Sequence, residues 1–436
     1  MQTSLTCVST PLRPNLAACE STRRSATIEY PANPEAKNPE PNERQPVDLT
    51  IACKYFSPRG GAQTFLFNFV HYLLEHNHRV KVLAMEIKGE MEGVEAEIVP
   101  MPPVTKTFRD VVFARATRKA LQQDKHDLSF GEQKTWGADV VRPGGGVHKE
   151  YISQVIKSYP SAPMRALRSI TKRLSLKERL NLHIERKLYA DPELRCVIAN
   201  SPLLQRHLVK HYHHLADRIE VVYNGADPER FSPKLRTHRD EIRRQHNIPE
   251  NALLNIFVAY DVRRKGLDTT LRALSILKKK DTSCPIRLLV VGKKKSWAVR
   301  LAKQLDVSAL TSFTGLQDPE PYYGASDVLV LPSYFDPCAN VTLEALSCGL
   351  PVITSVENGA YELLTPQIDG FYVDDPADAA QLAGFIEYFT DEAKLRRSSE
   401  AARERALQHT LTDMCADIMN VLEPLAEKKN WTDEPK

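Results

Sequence analysis

Short apolar runs alternate with helix-patterned segments from residue 47 to residue 373, and nothing else restricts the fold as much. In the first half the runs that read as strands lie at 47–53, 79–85, 96–100, 127–131, 139–142, 195–199 and 219–223. In the second half they lie at 254–259, 287–291, 312–314, 328–331, 351–354 and 370–373. Between them, Phe65, Phe69, Tyr72 and Leu73 recur near helical spacing. Ser201 before Pro202 is a helix start, and helices are expected at 109–123, 267–279, 296–305, 319–325, 342–348, 359–364 and 377–389. Short strands buried on both faces and joined by helices make parallel sheets. The Asn224-Gly225 turn divides two such halves. The fold class is therefore α/β, with two Rossmann-like domains facing each other across a cleft.

Length and composition bound the rest. At 436 residues the chain suits two or three domains. It is 42% hydrophobic and 26% charged, a globular balance, and its formal charge of +4 is too mild to imply a nucleic-acid partner. Eight cysteines lie scattered without a Cys-x-x-Cys pair, which argues against a disulfide framework and a zinc site and fits a reducing cytosol. No run approaches the roughly 18 apolar residues of a membrane span. Residues 1–46, rich in Pro, Asn, Glu, Ser and Arg, read as a disordered tail. The expected layout is a first domain at 47–224 with a basic helical segment at 149–190, a second domain at 225–408, and a C-terminal helix and tail at 409–436.

Several clusters fall where strands run into helices. Asp336 and Glu344 are eight residues apart, the first in a loop after the strand 328–331, the second on a helix that Gly349 ends. The start of that helix offers free N–H groups at Asn340 and Val341, where anions are favoured. Leu343, Ala345 and Leu346 read as buried, so Glu344 among them needs a partner. Gly60-Gly61 after the first strand lets backbone approach a pyrophosphate, though a tight turn would look the same. Arg263-Arg264-Lys265-Gly266 puts cations at a strand end, where they suit a departing diphosphate; the plain alternative is a solvated turn. Gly292 and Lys293 end another strand and leave room for a flat base. Gly144-Gly-Gly-Val-His148 offers a histidine that could bond a sugar hydroxyl or move a proton. His207, His211, His213 and His214 have metal-like spacing, but with no acid nearby in sequence they read as a basic surface helix.

These motifs, in this order, resemble the retaining glycosyltransferases of family 4 with the GT-B fold, and within them the lipopolysaccharide core glucosyltransferase group. The resemblance covers about residues 47–428 and includes Asn224-Gly225-Ala226-Asp227, which looks like the hinge motif of that family. It implies a UDP-sugar donor, most simply UDP-glucose, and a lipid-linked saccharide acceptor. It also implies transfer with retention, no metal or other cofactor, and a last helix that crosses back onto the first domain. By the same resemblance, Glu344 would hold the ribose, and Asp336 with the backbone at Asn340 and Val341 the sugar. Arg264, Lys265 and the Gly60-Gly61 loop would hold the diphosphate, Gly292 and Lys293 the uracil, and His148 would face the sugar. Asp336 is one methylene shorter than the usual Glu of the family, and Ala339 stands where many relatives have Gly. Two other classes fit the same motifs: a GT-B-fold nucleotide-sugar epimerase and a non-catalytic nucleotide-sugar binder.

Between Arg165 and Ala190 stand eight basic and two acidic residues, with Leu167, Ile170, Leu174, Leu180, Ile184 and Leu188 near helical spacing. Such a helix can lie on an anionic membrane surface or pack on its own domain. The resembling group carries a membrane-contacting basic segment at the corresponding place. The expected location is accordingly the cytoplasm, peripheral on the inner face of the cytoplasmic membrane.

Overall fold

The protein is described here by a computed structural model that covers residues 46–57, 61–89, 91–281, 283 and 285–432. The tail expected at 1–46, apart from Pro46, lies outside the described residues, as do Gly60 and residues 433–436.

The first sheet contains β1 (Asp48–Phe56), β2 (Arg79–Ile87), β3 (Glu95–Ile98), β4 (Leu128–Glu132), β5 (Val140–Arg142), β6 (Cys196–Ala199) and β7 (Ile219–Val221). The second contains β8 (Leu253–Ala259), β9 (Ile286–Gly292), β10 (Thr311–Gly315), β11 (Val328–Val330), β12 (Val352–Ser355) and β13 (Gly370–Val373). Their orders are β3-β2-β1-β4-β5-β6-β7 and β10-β9-β8-β11-β12-β13. Every strand pair is parallel. The alternation of the sequence dictates this, because each crossover helix must cover a sheet face. The two-domain α/β expectation is borne out. In both sheets the strand order reverses beside the first strand, between β1 and β4 and between β8 and β11. The crevice beyond the C-terminal ends of such strands is where open α/β sheets bind ligands.

The first sheet is buried on both faces. One face packs Leu49, Ile51, Phe69 and Phe130 with Ile418, Met419 and Leu422 of the last helix, Leu411–Thr432. The expected crossover of the C-terminal helix is thus present. Where it returns, Ala226 and Thr410 bridge as parallel neighbours, so the chain passes between the two halves twice at one place.

Three local expectations need correction. The segment 149–190 is not one long helix but three, His148–Lys157, Ala162–Leu174 and Leu176–Tyr189. Ser161 and Ser175 break it, because each turns its side chain to cap the helix that follows. The apolar stripe divides with it. Leu167, Ile170 and Leu174 are 62%, 55% and 76% exposed, whereas Ile184 and Leu188 are buried against Trp136 and Val197. Finally, the helix Pro202–His211 is not a free surface helix. Ser201, its cap, donates to the Pro337 carbonyl across the cleft, and Glu362 accepts from Leu203 N at 3.0 Å.

Candidate functional site

The residues after β8 and β11 converge at the point where the second sheet reverses. The turn 261–266 leads into the helix Leu267–Lys280 and brings Arg264 and Lys265 to the loop 332–339. Lys265, only 7% exposed, pairs with Asp336. Arg264 Nη1 donates to the same carboxylate at 3.2 Å and to the Phe335 carbonyl at 2.7 Å. Burial pushes Asp336 upward, but Lys265 and Arg264 outweigh it and hold its pKa below the usual carboxylate range. Burial lowers the Lys265 pKa, and Asp336 opposes that. Residues expected in separate roles, sugar contact for Asp336 and phosphate contact for the cations, thus form one cluster, with the half-exposed Asp261 a further 3.9 Å from Arg264 Nε. The two cations keep N–H donors that suit an anion. Arg263 leaves it and lies over the Trp297 ring at 3.9 Å and Tyr159 of the first half at 5.0 Å.

The loop continues into the helix Asn340–Ser347, whose cap residue, Ala339, offers no side-chain acceptor. Its first N–H groups therefore remain available. Asn340 is fixed instead from the hinge. Asn224 Nδ2 donates to Asn340 Oδ1 at 2.6 Å and to the Cys338 carbonyl at 2.9 Å, while Arg142 donates to Asn224 Oδ1 at 2.8 Å. A strand end of the first half is thus linked through the hinge asparagine to the helix start of the second.

Glu344 has the partner its surroundings demanded. Tyr323, fully buried, donates its hydroxyl to Glu344 Oε2 at 2.8 Å. Burial still pushes the Glu344 pKa up to about 7; the Tyr323 hydroxyl and Arg230 oppose the shift, and Glu320 and Asp318 add to it. Sequence reasoning missed Tyr323 and also Asn358, which is fully buried and accepts from Ala339 N at 3.0 Å while donating to Thr342 and Thr354. The Asn358-Gly359 turn signal marked that place; nothing local marked Tyr323.

Gly292 is dictated by the neighbouring strand as much as by any ligand, since a Cβ there would meet the Ala259 carbonyl oxygen at 1.9 Å. Lys293 beyond it stands 5.6 Å from the exposed Tyr260 ring. On the opposite side, Gly61 opens the helix Gly61–Glu75 directly after β1. Gly146, with φ +74°, brings the turn against Phe335, whose ring a Cβ would meet at 2.7 Å. His148 lies in the first half. Its Nε2 meets Glu178 Oε2 at 2.6 Å, its N–H donates to Glu185, and its ring stacks on Tyr151, which in turn meets the edge of Phe335. Of the expected residues, Arg264, Lys265 and Asp336 contact one another directly, and His148 reaches them only through Tyr151 and Phe335.

The histidine cluster also differs from expectation, because an acid is present. Glu150 accepts from His211 Nε2 at 2.7 Å and from Lys210 at 2.6 Å. His207 lies flat against Phe335, and burial lowers its pKa to about 4. Among the described residues, no three His, Cys, Asp or Glu side chains group as metal ligands.

Two family patterns match this chain: "Glycosyltransferase Family 4" over residues 59–230 and "Glycosyl transferases group 1" over residues 238–405. The lipopolysaccharide glucosyltransferase WaaG of Escherichia coli K12 is 25% identical over 374 residues, 84% of this chain and 96% of that protein. A D-inositol 3-phosphate glycosyltransferase of Rhodococcus opacus is 32% identical over 203 residues, 42% of this chain and 44% of that one. In fold, the crystal structure of WaaG superposes with a TM-score of 0.70 at 23% identity, covering 85% of this chain and 99% of the other. Anabaena HepE in complex with UDP and glucose does so with a TM-score of 0.64 at 18% identity, covering 86% and 99%.

Proposed function

We propose, from the premise that this chain belongs to the family-4 glycosyltransferases of the GT-B fold, that it transfers glucose from UDP-glucose, with retention, to a lipid-linked saccharide such as the lipopolysaccharide core. The observation that carries this reading is the Arg264–Lys265–Asp336 cluster beside the uncapped start of the helix Asn340–Ser347, at the reversal point of the second sheet. In this reading the diphosphate enters between the two cations and the helix start, and negative charge grows there as the sugar–phosphate bond breaks. The sugar lies against Asp336 and the backbone of Asn340 and Val341. The ribose lies on Glu344, with Tyr323 holding the far carboxylate oxygen, and the uracil lies over Gly292 and Lys293. By the family resemblance, the Gly60-Gly61 segment would add to the diphosphate contact. Attack comes from the leaving-group face, and His148, held by Glu178, orients that side of the cleft. Glucose is favoured by similarity to WaaG, and UDP by the contents of the HepE structure.

A panel of UDP-sugars tests the donor by protection against thermal unfolding, followed by assay of transfer. UDP-glucose should protect most. Free epimerised sugar without an acceptor would sink the transferase reading in favour of an epimerase, and protection without any turnover would leave a binding protein. Because cationic side chains neutralise the leaving group in this reading, activity should persist in EDTA. Loss that magnesium restores would refute the metal-independent mechanism.

The helix Ala162–Leu174 has no buried residue, and its apolar side chains point outward beside Arg165 and Arg173. No described helix is long and apolar enough to cross a membrane. We assign this helix as the contact with an anionic inner-leaflet surface, which would bring the site to a lipid-linked acceptor. Replacing Leu167, Ile170 and Leu174 together by Glu should leave thermal stability unchanged, since none is buried, and should lower binding to phosphatidylglycerol vesicles by about tenfold or more. Unchanged vesicle binding would refute the assignment.

A further inference from the structure

The cleft side of the first sheet carries a second group of cations that the donor reading does not use. Lys54 lies in β1, Lys134 just follows β4, and Arg109 opens the helix Arg109–Gln123. All three gather at the C-terminal ends of the two strands between which the first sheet reverses. The two lysines share one carboxylate: Asp110 pairs with Lys54 and, at 2.7 Å, with Lys134. Burial raises the Asp110 pKa, but the two lysines overcome it and keep the group ionised well below neutrality. Among the described residues, Arg109 meets no carboxylate; its Nη2 reaches the Tyr55 hydroxyl at 3.4 Å, and its enclosed Nε has no partner there. The other nearby acid, Glu132, turns to the backbone N–H of Lys54 and toward Arg142.

Two features mark this group as built rather than incidental. Lys134 takes a positive φ of 79°, a conformation that costs a non-glycine residue energy and that gathers at functional sites. Lys134 also lines a small cavity with His148, Gln133 and Glu185, and Gln133 donates to the Gly146 carbonyl at 2.8 Å in the turn that meets Phe335. Two lysines on one carboxylate, beside a guanidinium edge that meets no partner among the described residues, suit an oxyanion with several acceptor oxygens.

We propose that Lys54, Arg109 and Lys134 form a subsite for a phosphate group carried by the acceptor saccharide. This rests on the reading of the second half as the donor side, since it places the acceptor opposite. Binding there fixes the acceptor at a point away from the reacting hydroxyl, and Asp110, paired with both lysines, keeps them in place until the phosphate arrives.

The test uses the full chain saturated with UDP, so that the donor cations are occupied, and titrates it with glucose 6-phosphate, with glucose as the uncharged control. Glucose 6-phosphate should bind saturably, and glucose should not at equal concentration. In the double variant R109Q/K134Q its affinity should fall by about tenfold or more, with UDP affinity unchanged. D110N changes one side-chain atom and should tighten binding, because it removes the competing anion. Equal binding in R109Q/K134Q and the parent, or weaker binding in D110N, would overturn the proposal. Should the double variant not fold, D110N decides by its sign. Phosphatidylglycerol vesicles are the second arm: if R109Q/K134Q loses vesicle binding but keeps glucose 6-phosphate binding, the cations serve a lipid headgroup and the saccharide assignment is overturned. If UDP itself does not bind, the donor reading fails separately. The same titrations are then run without UDP in a Lys265→Ala background, where the R109Q/K134Q comparison still decides.

Discussion

Lys265→Ala is expected to lower the transfer rate at saturating donor by about 100-fold or more, the scale on which removal of one preorganised charge stabiliser is felt in other enzymes. The expectation follows from where Lys265 is held. It is buried, it sits at the turn into the helix Leu267–Lys280, and its ammonium faces the Asp336 carboxylate, which Arg264 also contacts. A cation fixed in a poorly solvated place needs no reorganisation when charge develops on a leaving diphosphate. The variant also strips Asp336 of one of its two cations, and breaking a buried pair from one side costs about 3–5 kcal/mol. Loss of activity through loss of fold must therefore be separated from loss of chemistry. Lys265→Met combined with Asp336→Asn removes both charges and should recover most of the melting temperature while the rate stays low. Full activity in Lys265→Ala, or recovery of rate in the double variant, would refute the phosphate role.

What the sequence disclosed of this site follows from the range of the interactions. Strand alternation and the order of motifs are local, so the two sheets, the strand ends and the positions of Arg264, Lys265, Asp336 and Glu344 could be read from the chain. Partners distant in sequence could not. Tyr323 reaches Glu344 from a separate short helix after β10, Glu320–Ala325. The link from Arg142 through Asn224 to Asn340 joins three segments that no spacing relates. The same limit explains the histidine helix, whose acid partner Glu150 comes from another element. In the basic segment, periodicity ran unbroken from Leu167 to Leu188, yet Ser175 starts a new helix and turns its far end inward. A periodic stripe identifies an apolar face but not what covers it.

The pairing in the cleft also explains how the site can hold so much charge. Each half sets two clustered cations on one shared carboxylate, Asp336 in the second, where Asp261 also stands 3.9 Å from Arg264, and Asp110 in the first. Full neutralisation would leave nothing to attract an anion, and no neutralisation would make buried cations costly. Partial pairing lets an incoming phosphate bind to cations that are already oriented. The shorter Asp336 fits this arrangement, because its carboxylate is engaged by Lys265 and Arg264 close to the backbone. A longer acid at 336 would carry that charge further into the space assigned to the sugar. This is where the chain is expected to differ from relatives in sugar preference.

The second large effect is a pH dependence of donor binding set by Glu344. In the free protein its pKa is pushed up to about 7, first by burial. The groups that face it are the Tyr323 hydroxyl, Arg230, Glu320 and Asp318. A carboxyl whose folded pKa lies above its unfolded value adds stability that is complete below the unfolded value and is lost as pH rises through about 7. The free protein should therefore lose stability between pH 5 and pH 8 by an amount that Glu344→Gln removes. Binding runs the other way. A ribose diol donates two hydrogen bonds, so it prefers the ionised carboxylate. Below pH 7 the proton must leave before the ribose can settle, and affinity should fall by up to about tenfold per pH unit until the bound-state pKa is reached. UDP-glucose is the proper probe because both of its phosphates are esterified and do not titrate in this range, unlike the terminal phosphate of UDP. Calorimetric titration at pH 8 and pH 5.5 should give at least about tenfold weaker binding at the lower pH. Glu344→Gln should bind more weakly at pH 8 and show little change between the two. Glu132, in the first half, also titrates near 7, so Glu132→Gln must keep the parent slope. A flat profile in the parent, or the same slope in Glu344→Gln, would remove Glu344 from the ribose.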